Sequence, residues 1–160
     1  MSETFDRPEI PASGIMSDLD ADDRRLLGDY GEFLPVHPDQ TLIEEGKEQD
    51  SLYFVISGVL HVHTDTKEKR TLVARVSAGE TLGEVNLFDP ATASASVTAK
   101  DFSQVWKANR ADLEQFKNSY PAAAAELLAG ILREMSQRLR RMNDKLTTNE
   151  AEAAFHSFWS

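Results

Sequence analysis

His61 and His63 flank a single valine, and a carboxylate, Glu68, follows five residues later. Imidazole and carboxylate are ligands that zinc, iron and manganese accept. The two-residue period of a strand puts both histidines on one face. Glu68 falls at the charged tip of a hairpin, away from the strand faces. The pair therefore reads as half-exposed strand histidines, and no metal site is expected. Glu44 and Glu45 are adjacent, and neighbours on a strand face opposite ways, so they form no acid–base pair. Ser94 and Ser96 carry hydroxyls, but no histidine is placed to activate them. The chain has no cysteine, which removes thiolate nucleophiles, disulfides and cysteine-based zinc sites. Nothing combines an acid, a base and an orienting group, so the chain is not read as an enzyme.

A second set of residues is better suited to holding a ligand than to transforming one. Gly83 and Glu84 lead into Val85–Phe88, which is too short for an ordinary helix but long enough for one turn. The free N–H groups of such a turn would point at an anion. Gly83 permits close approach of the backbone. Ala93 and Ala95 are small and leave room beside the chain, with Ser94 between them. The basic patch Arg138, Arg140, Arg141 and Lys145 reads as a solvated helix face answering Glu134 and Asp144.

These groups need a scaffold, and the composition supplies one. A chain of 160 residues can bury a full core without staples. Hydrophobic residues at 41% and charged residues at 28% belong to a folded protein. The net charge is −10, the wrong sign for neutralising phosphates, so no nucleic-acid partner is expected. No apolar run nears the roughly 20 residues that span a bilayer. The start, MSETFDRPEIPASG, is acidic and has no apolar signal core. No membrane partner is expected, and the location reads as cytoplasmic.

Residues 1–16, with Pro8, Pro11, Ser13 and Gly14, read as a mobile arm. Asp20 is placed to cap a short helix bearing Leu26, Leu27 and Tyr30. Thr41–Glu44, Leu52–Ser57, Val59–Thr64, Thr71–Val76, Ser96–Lys100 and Phe102–Ala108 are short runs rich in β-formers, divided by turn signals. Ala111–Ser119 reads as one helix, and Pro121 suits the first turn of a longer one. The fold class is mainly β with flanking helices: an antiparallel β-roll, jelly-roll-like, followed by a long C-terminal helix. The roll with its short helices spans 17–120, the long helix 121–148, and an aromatic tail 149–160.

Two ordered blocks carry a family resemblance. EEGKEQDSLYFVISGVLHV supplies Gly46, Asp50, Leu52, Tyr53, Val55, Ile56, Gly58 and Val62; SAGETLGEVNLFDPATASASVTA supplies Gly79, Gly83, Glu84, Leu87, Ser94, Ala95 and Val97. Their content and separation resemble the cyclic-nucleotide-binding domain family, the β-roll of catabolite activators, kinase A regulatory subunits and cyclic-nucleotide-gated channels. The similarity covers roughly residues 18–146. It implies a cyclic nucleotide, cyclic AMP or cyclic GMP, as the possible ligand. It places Gly83, Glu84, Val85, Asn86, Ala93, Ser94 and Ala95 around that ligand, with Glu84 accepting from the ribose 2′-hydroxyl and Ser94 donating to the phosphate. The family's arginine before the Ser94 position is here Ala93. A buried phosphate without its ionic partner loses about 2–5 kcal/mol, roughly 30- to several-thousand-fold in affinity. Weak or altered binding is expected unless Arg75 or Lys100 compensates.

The long helix carries Leu128, Leu132, Met135, Leu139, Met142 and Leu146, a heptad seam of nearly three repeats. It packs either on its own domain or on a twin, and a homodimer is expected. The family's transcription factors follow this helix with a DNA-binding domain; only 14 residues follow Leu146 here. The expected function is a regulatory ligand-sensing module whose ligand shifts the C-terminal helix, which reports to a protein partner. The alternative is a vacated β-roll serving as a dimerisation or interaction module. Phe155, Phe158 and Trp159 are expected either to plug the core or pocket or to offer a partner a hydrophobic peptide.

Overall fold

The computed structural model describes residues 8–159, without the side chains of Val85 and of residues 150–159. Helix α1 (Ala21–Tyr30) begins where Asp20 accepts a hydrogen bond from the Asp23 amide at 2.8 Å, the N-cap expected from the sequence. Ten strands follow: β1 (Glu32–Val36), β2 (Thr41–Ile43), β3 (Glu48–Gln49), β4 (Ser51–Ser57), β5 (Val59–Asp65), β6 (Arg70–Ser77), β7 (Thr81–Leu82), β8 (Ala91–Thr92), β9 (Ser96–Ala99) and β10 (Ser103–Asn109). Helix α2 (Glu84–Phe88) interrupts them after β7. Helix α3 (Arg110–Ser119) starts in a capping box between Asn109 and Asp112. Helix α4 (Pro121–Trp159) runs to the end of the description.

The strands form two four-stranded antiparallel sheets, ordered β1-β10-β4-β7 and β2-β9-β5-β6, and a small pair, β3-β8. This is the expected antiparallel roll. Strand β4 shows how one sequence serves two cores. Alternate side chains leave opposite faces of a strand. Leu52 and Phe54 join the helix-side core with Leu27, Trp106, Phe116, Leu127 and Ile131. Tyr53 and Val55 join the roll interior with Val36, Leu60, Ala93, Val97 and Val105. Each fully buried large side chain contributes roughly 1.5–3 kcal/mol of transfer free energy. Strand β1 tolerates Pro35 because it lies at a sheet edge, where an amide need not donate.

Two expectations need correction. The arm is not free over its described part: Ile10, Ile15 and Met16 are buried in the helix-side core. Ile15 and Met16 belong to a 3-10 turn, Gly14–Met16, that packs on α4. A Cβ at Gly130 would overlap the Ile15 carbonyl, so glycine lets the helix and the turn close together. Three apolar side chains outweigh the surrounding Pro, Ser and Gly. The long helix also passes its expected end at residue 148 and reaches Trp159, so residues 149–159 are helix rather than a separate tail. The side chains of Phe155, Phe158 and Trp159 lie outside the described residues.

Helix α4 docks by a stripe other than the heptad seam. Ala123, Ala124, Leu127 and Ile131 are buried against the domain, with Met135 packed beside them. Leu132, Leu139, Met142 and Leu146 are each more than half exposed, and Leu128 is partly so. The two stripes share Met135 and diverge on either side of it.

Candidate functional site

Between β7 and β9 lie the residues that the resemblance assigns to a ligand. Tyr53 pairs with Leu82, which fixes β7 on β4. Gly83 follows at φ +83°, and a Cβ there would overlap the Ser51 carbonyl oxygen, so no other residue fits without movement. Helix α2 then makes its short passage, and Asn86 Nδ2 donates to the Ala91 carbonyl at 3.3 Å. Strand β8 pairs with β3 through Thr92–Glu48 and Ala91–Gln49. Ala93 is 7% exposed. Its N–H donates to the Lys47 carbonyl at 2.8 Å, and its carbonyl accepts from the Gly46 amide at 2.9 Å. Ser94 is exposed and Ala95 half-buried. The side chain of Val85, placed at the ligand by resemblance, lies outside the described residues.

Glu84 is the buried charge of this segment and is 5% exposed. Its Oε1 accepts a hydrogen bond from Arg138 of α4, while its Oε2 is buried with no hydrogen-bond partner. Arg138 also donates to the Thr81 carbonyl at 2.9 Å and to Glu134 at 3.0 Å. Thr81 Oγ1 donates to the other Glu134 oxygen at 3.0 Å. A single arginine thus ties α4 to β7 and to α2. Its expected role as solvated charge answering Glu134 is only half of what it does. The i, i+4 spacing made Glu134–Arg138 legible; nothing local signals a bond across 54 residues to Glu84.

The candidate substitutes for the missing arginine lie elsewhere. Leu60 and Val62 face the roll interior, so His61 between them faces outward. Arg75 pairs across the strands with His61, and cross-strand partners share a face. Burial first, then the charges of Arg75 and Lys100, push the His61 imidazole below its ordinary range. Both cations therefore sit by His61 on the outer face.

The histidines also differ from expectation. His63 is 2% exposed rather than half-exposed. Its Nδ1 bonds Asp65 at 3.0 Å and its Nε2 bonds Thr98 at 3.1 Å. Arg70 completes that cluster on Asp65. Across the β5–β9 ladder His63 stands opposite Ser96. Among the described residues no group of three His, Cys, Asp or Glu side chains is placed to hold a metal ion, and no helix is long and apolar enough to cross a membrane.

Comparison with known proteins agrees with this architecture. The family model described as "Cyclic nucleotide-binding domain" matches residues 33–120. The Pycsar effector protein PaPycTIR of Pseudomonas aeruginosa is 31% identical over 121 residues, covering 75% of this chain and 37% of that protein. The chain spans under half the length of the curated relatives it matches. Among solved structures, a cyclic nucleotide-binding domain from Methylobacillus flagellatus is 26% identical with a TM-score of 0.73, over 80% of this chain and 72% of that one. The N-terminal domain of a transcriptional regulator from Streptomyces coelicolor is 28% identical with a TM-score of 0.69, over 84% and 92%.

Proposed function

The chain belongs to the cyclic nucleotide-binding domain family, and from that premise we propose that it is a regulatory module in which occupancy of the cassette is reported by α4. The observation that carries the proposal is the contact of Arg138 with Glu84 and with the Thr81 carbonyl. Anything that engages Glu84 competes with or reinforces the bond holding the helix. A ligand with different affinity for the docked and released helix shifts that equilibrium. The resemblance assigns Glu84 to the ribose and Ser94 to the phosphate. With Ala93 in the arginine's place, cyclic AMP and cyclic GMP bind weakly. The module carries no catalytic step of its own and acts in the cytoplasm through a protein partner, without contacting nucleic acid or membrane.

A second reading has its own observation. Leu132, Leu139, Met142 and Leu146 present an exposed apolar face on α4. A heptad stripe of this kind is covered by a second helix, and we assign it to a homodimer. That leaves open a module whose dimerisation is its whole function.

A thermal-shift series separates the two. Cyclic nucleotides, nucleosides and ordinary nucleotides are each added up to millimolar concentration. A ligand at ten times its dissociation constant adds about 1.4 kcal/mol, worth roughly 3–6 °C for a domain of this size. The sensor reading expects a shift of that order with at least one ligand near the top of the range. A flat series throughout replaces it with the interaction module.

A further inference from the structure

We infer that the cassette takes an uncharged ribose-bearing ligand, a nucleoside, in preference to its phosphorylated form. This rests on the sensing function proposed above and adds the chemistry of what is sensed.

The argument is an inventory of cations. Ala93 offers no charge, and its backbone N–H is already given to the Lys47 carbonyl. Lys47 is close in backbone, but its ammonium pairs with Glu44 at 3.0 Å on the surface. Arg75 and Lys100 lie by His61 on the outer face of the sheet. Lys107 stands over the Tyr53 ring, 5.6 Å from its centroid. Arg138 is the cation bonded to Glu84, and two carboxylates, Glu84 and Glu134, already share it. These three groups sum to one negative charge. A phosphate beside Glu84 adds like charge to it, in a setting where poor solvation makes such repulsion strong.

What Glu84 lacks is a second donor. Glu84 Oε2 is buried without a partner, and a buried acceptor left unpaired carries its full desolvation penalty. A ligand hydroxyl satisfies it and brings no charge. The roll interior, to which Ala93 of the cassette belongs, is apolar and uncharged at Val62, Val97 and Ala93. Such a wall suits a flat heterocycle more than an ionic group. A sugar carrying hydroxyls and a base meets both requirements.

The test is calorimetric titration of the full chain with the four ribonucleosides, their 3′,5′-cyclic monophosphates and their 2′-deoxy forms. We expect one nucleoside to bind at least tenfold more tightly than its own cyclic monophosphate, and its 2′-deoxy form at least tenfold more weakly. A cyclic monophosphate that binds as tightly as its nucleoside, or more so, overturns this inference and leaves the sensing function standing. Undiminished affinity for the 2′-deoxy form overturns the assignment of Glu84 Oε2 to the ribose hydroxyl. Absence of binding by every compound, together with a flat thermal-shift series, overturns both this inference and the sensing function.

Discussion

The two sides of the cassette have diverged. At one side Glu84 is buried, charged and bonded to α4 through Arg138. At the other, Ala93 is buried, neutral and closed off by backbone bonds to Gly46 and Lys47. In the family to which the chain belongs, the resemblance assigns the first side to the sugar and the second to the phosphate. The side assigned to the sugar is bonded to α4, the helix proposed to report binding. Where the resemblance expects an arginine for the phosphate, this chain has Ala93. On the function proposed above, helix coupling and ionic affinity fall to different residues of one segment, Glu84 and Ala93.

The sharpest way to break this contrast is to cut the wired side. Arg138→Ala leaves Glu84 buried with neither oxygen paired. Removing one partner of a buried ion pair costs about 3–5 kcal/mol, and the partial exposure of Arg138 points to the lower end. About 3 kcal/mol corresponds to a fall in Tm of roughly 6–12 °C, readable by calorimetry. A fall no larger than that of Arg140→Ala would show that the link contributes little. The opposite side is probed by restoring charge. Ala93→Arg is expected to strengthen cyclic-nucleotide binding about 30-fold or more, measured by titration; a correctly folded variant with unchanged affinity would contradict the assignment of that side to phosphate.

The exposed face of α4 tests whether reporting needs a second chain. Leu139→Lys places a charge in the seam and is expected to yield monomers by light scattering, with Tm little changed because Leu139 lies outside the docked stripe. A dimer that persists would refute the seam. The smallest effect concerns the sheet's outer face. His61 has a folded-state pKa below its unfolded value of about 6.5. Its contribution to stability is therefore full above that value and declines as pH falls through it. His61→Asn should flatten the Tm-versus-pH curve in that window, and an identical slope in the variant would remove His61 as its cause.

Much of the scaffold was legible because local rules and tertiary structure agree. The six expected strand runs correspond to β2, β4, β5, β6, β9 and β10 within a residue or two, since alternation and turn residues mark both faces and ends. Asp20 and Pro121 marked helix starts for the same reason. Strand β1 was missed because Pro35 argues against a strand until its edge position is known. Ile10, Ile15 and Met16 were missed because three side chains in a Pro- and Ser-containing stretch have no period to reveal them. At the site, Glu84, Ser94 and the departure at Ala93 were visible as motif positions. The Arg138–Glu84 bond and the outward placement of Arg75 and Lys100 were not. They depend on where α4 crosses the roll and on which face β6 presents, and both are tertiary facts.

Hydrogen–deuterium exchange across α4 tests the central claim most directly. The tightest ligand from the titrations is added at saturation, and exchange is followed for residues 127–142. Coupling through Glu84 and Arg138 predicts a change in protection there, centred on the turn that carries Glu134 and Arg138. A ligand that occupies the cassette at saturation while leaving exchange in this segment unaltered would contradict the claim that α4 reports binding.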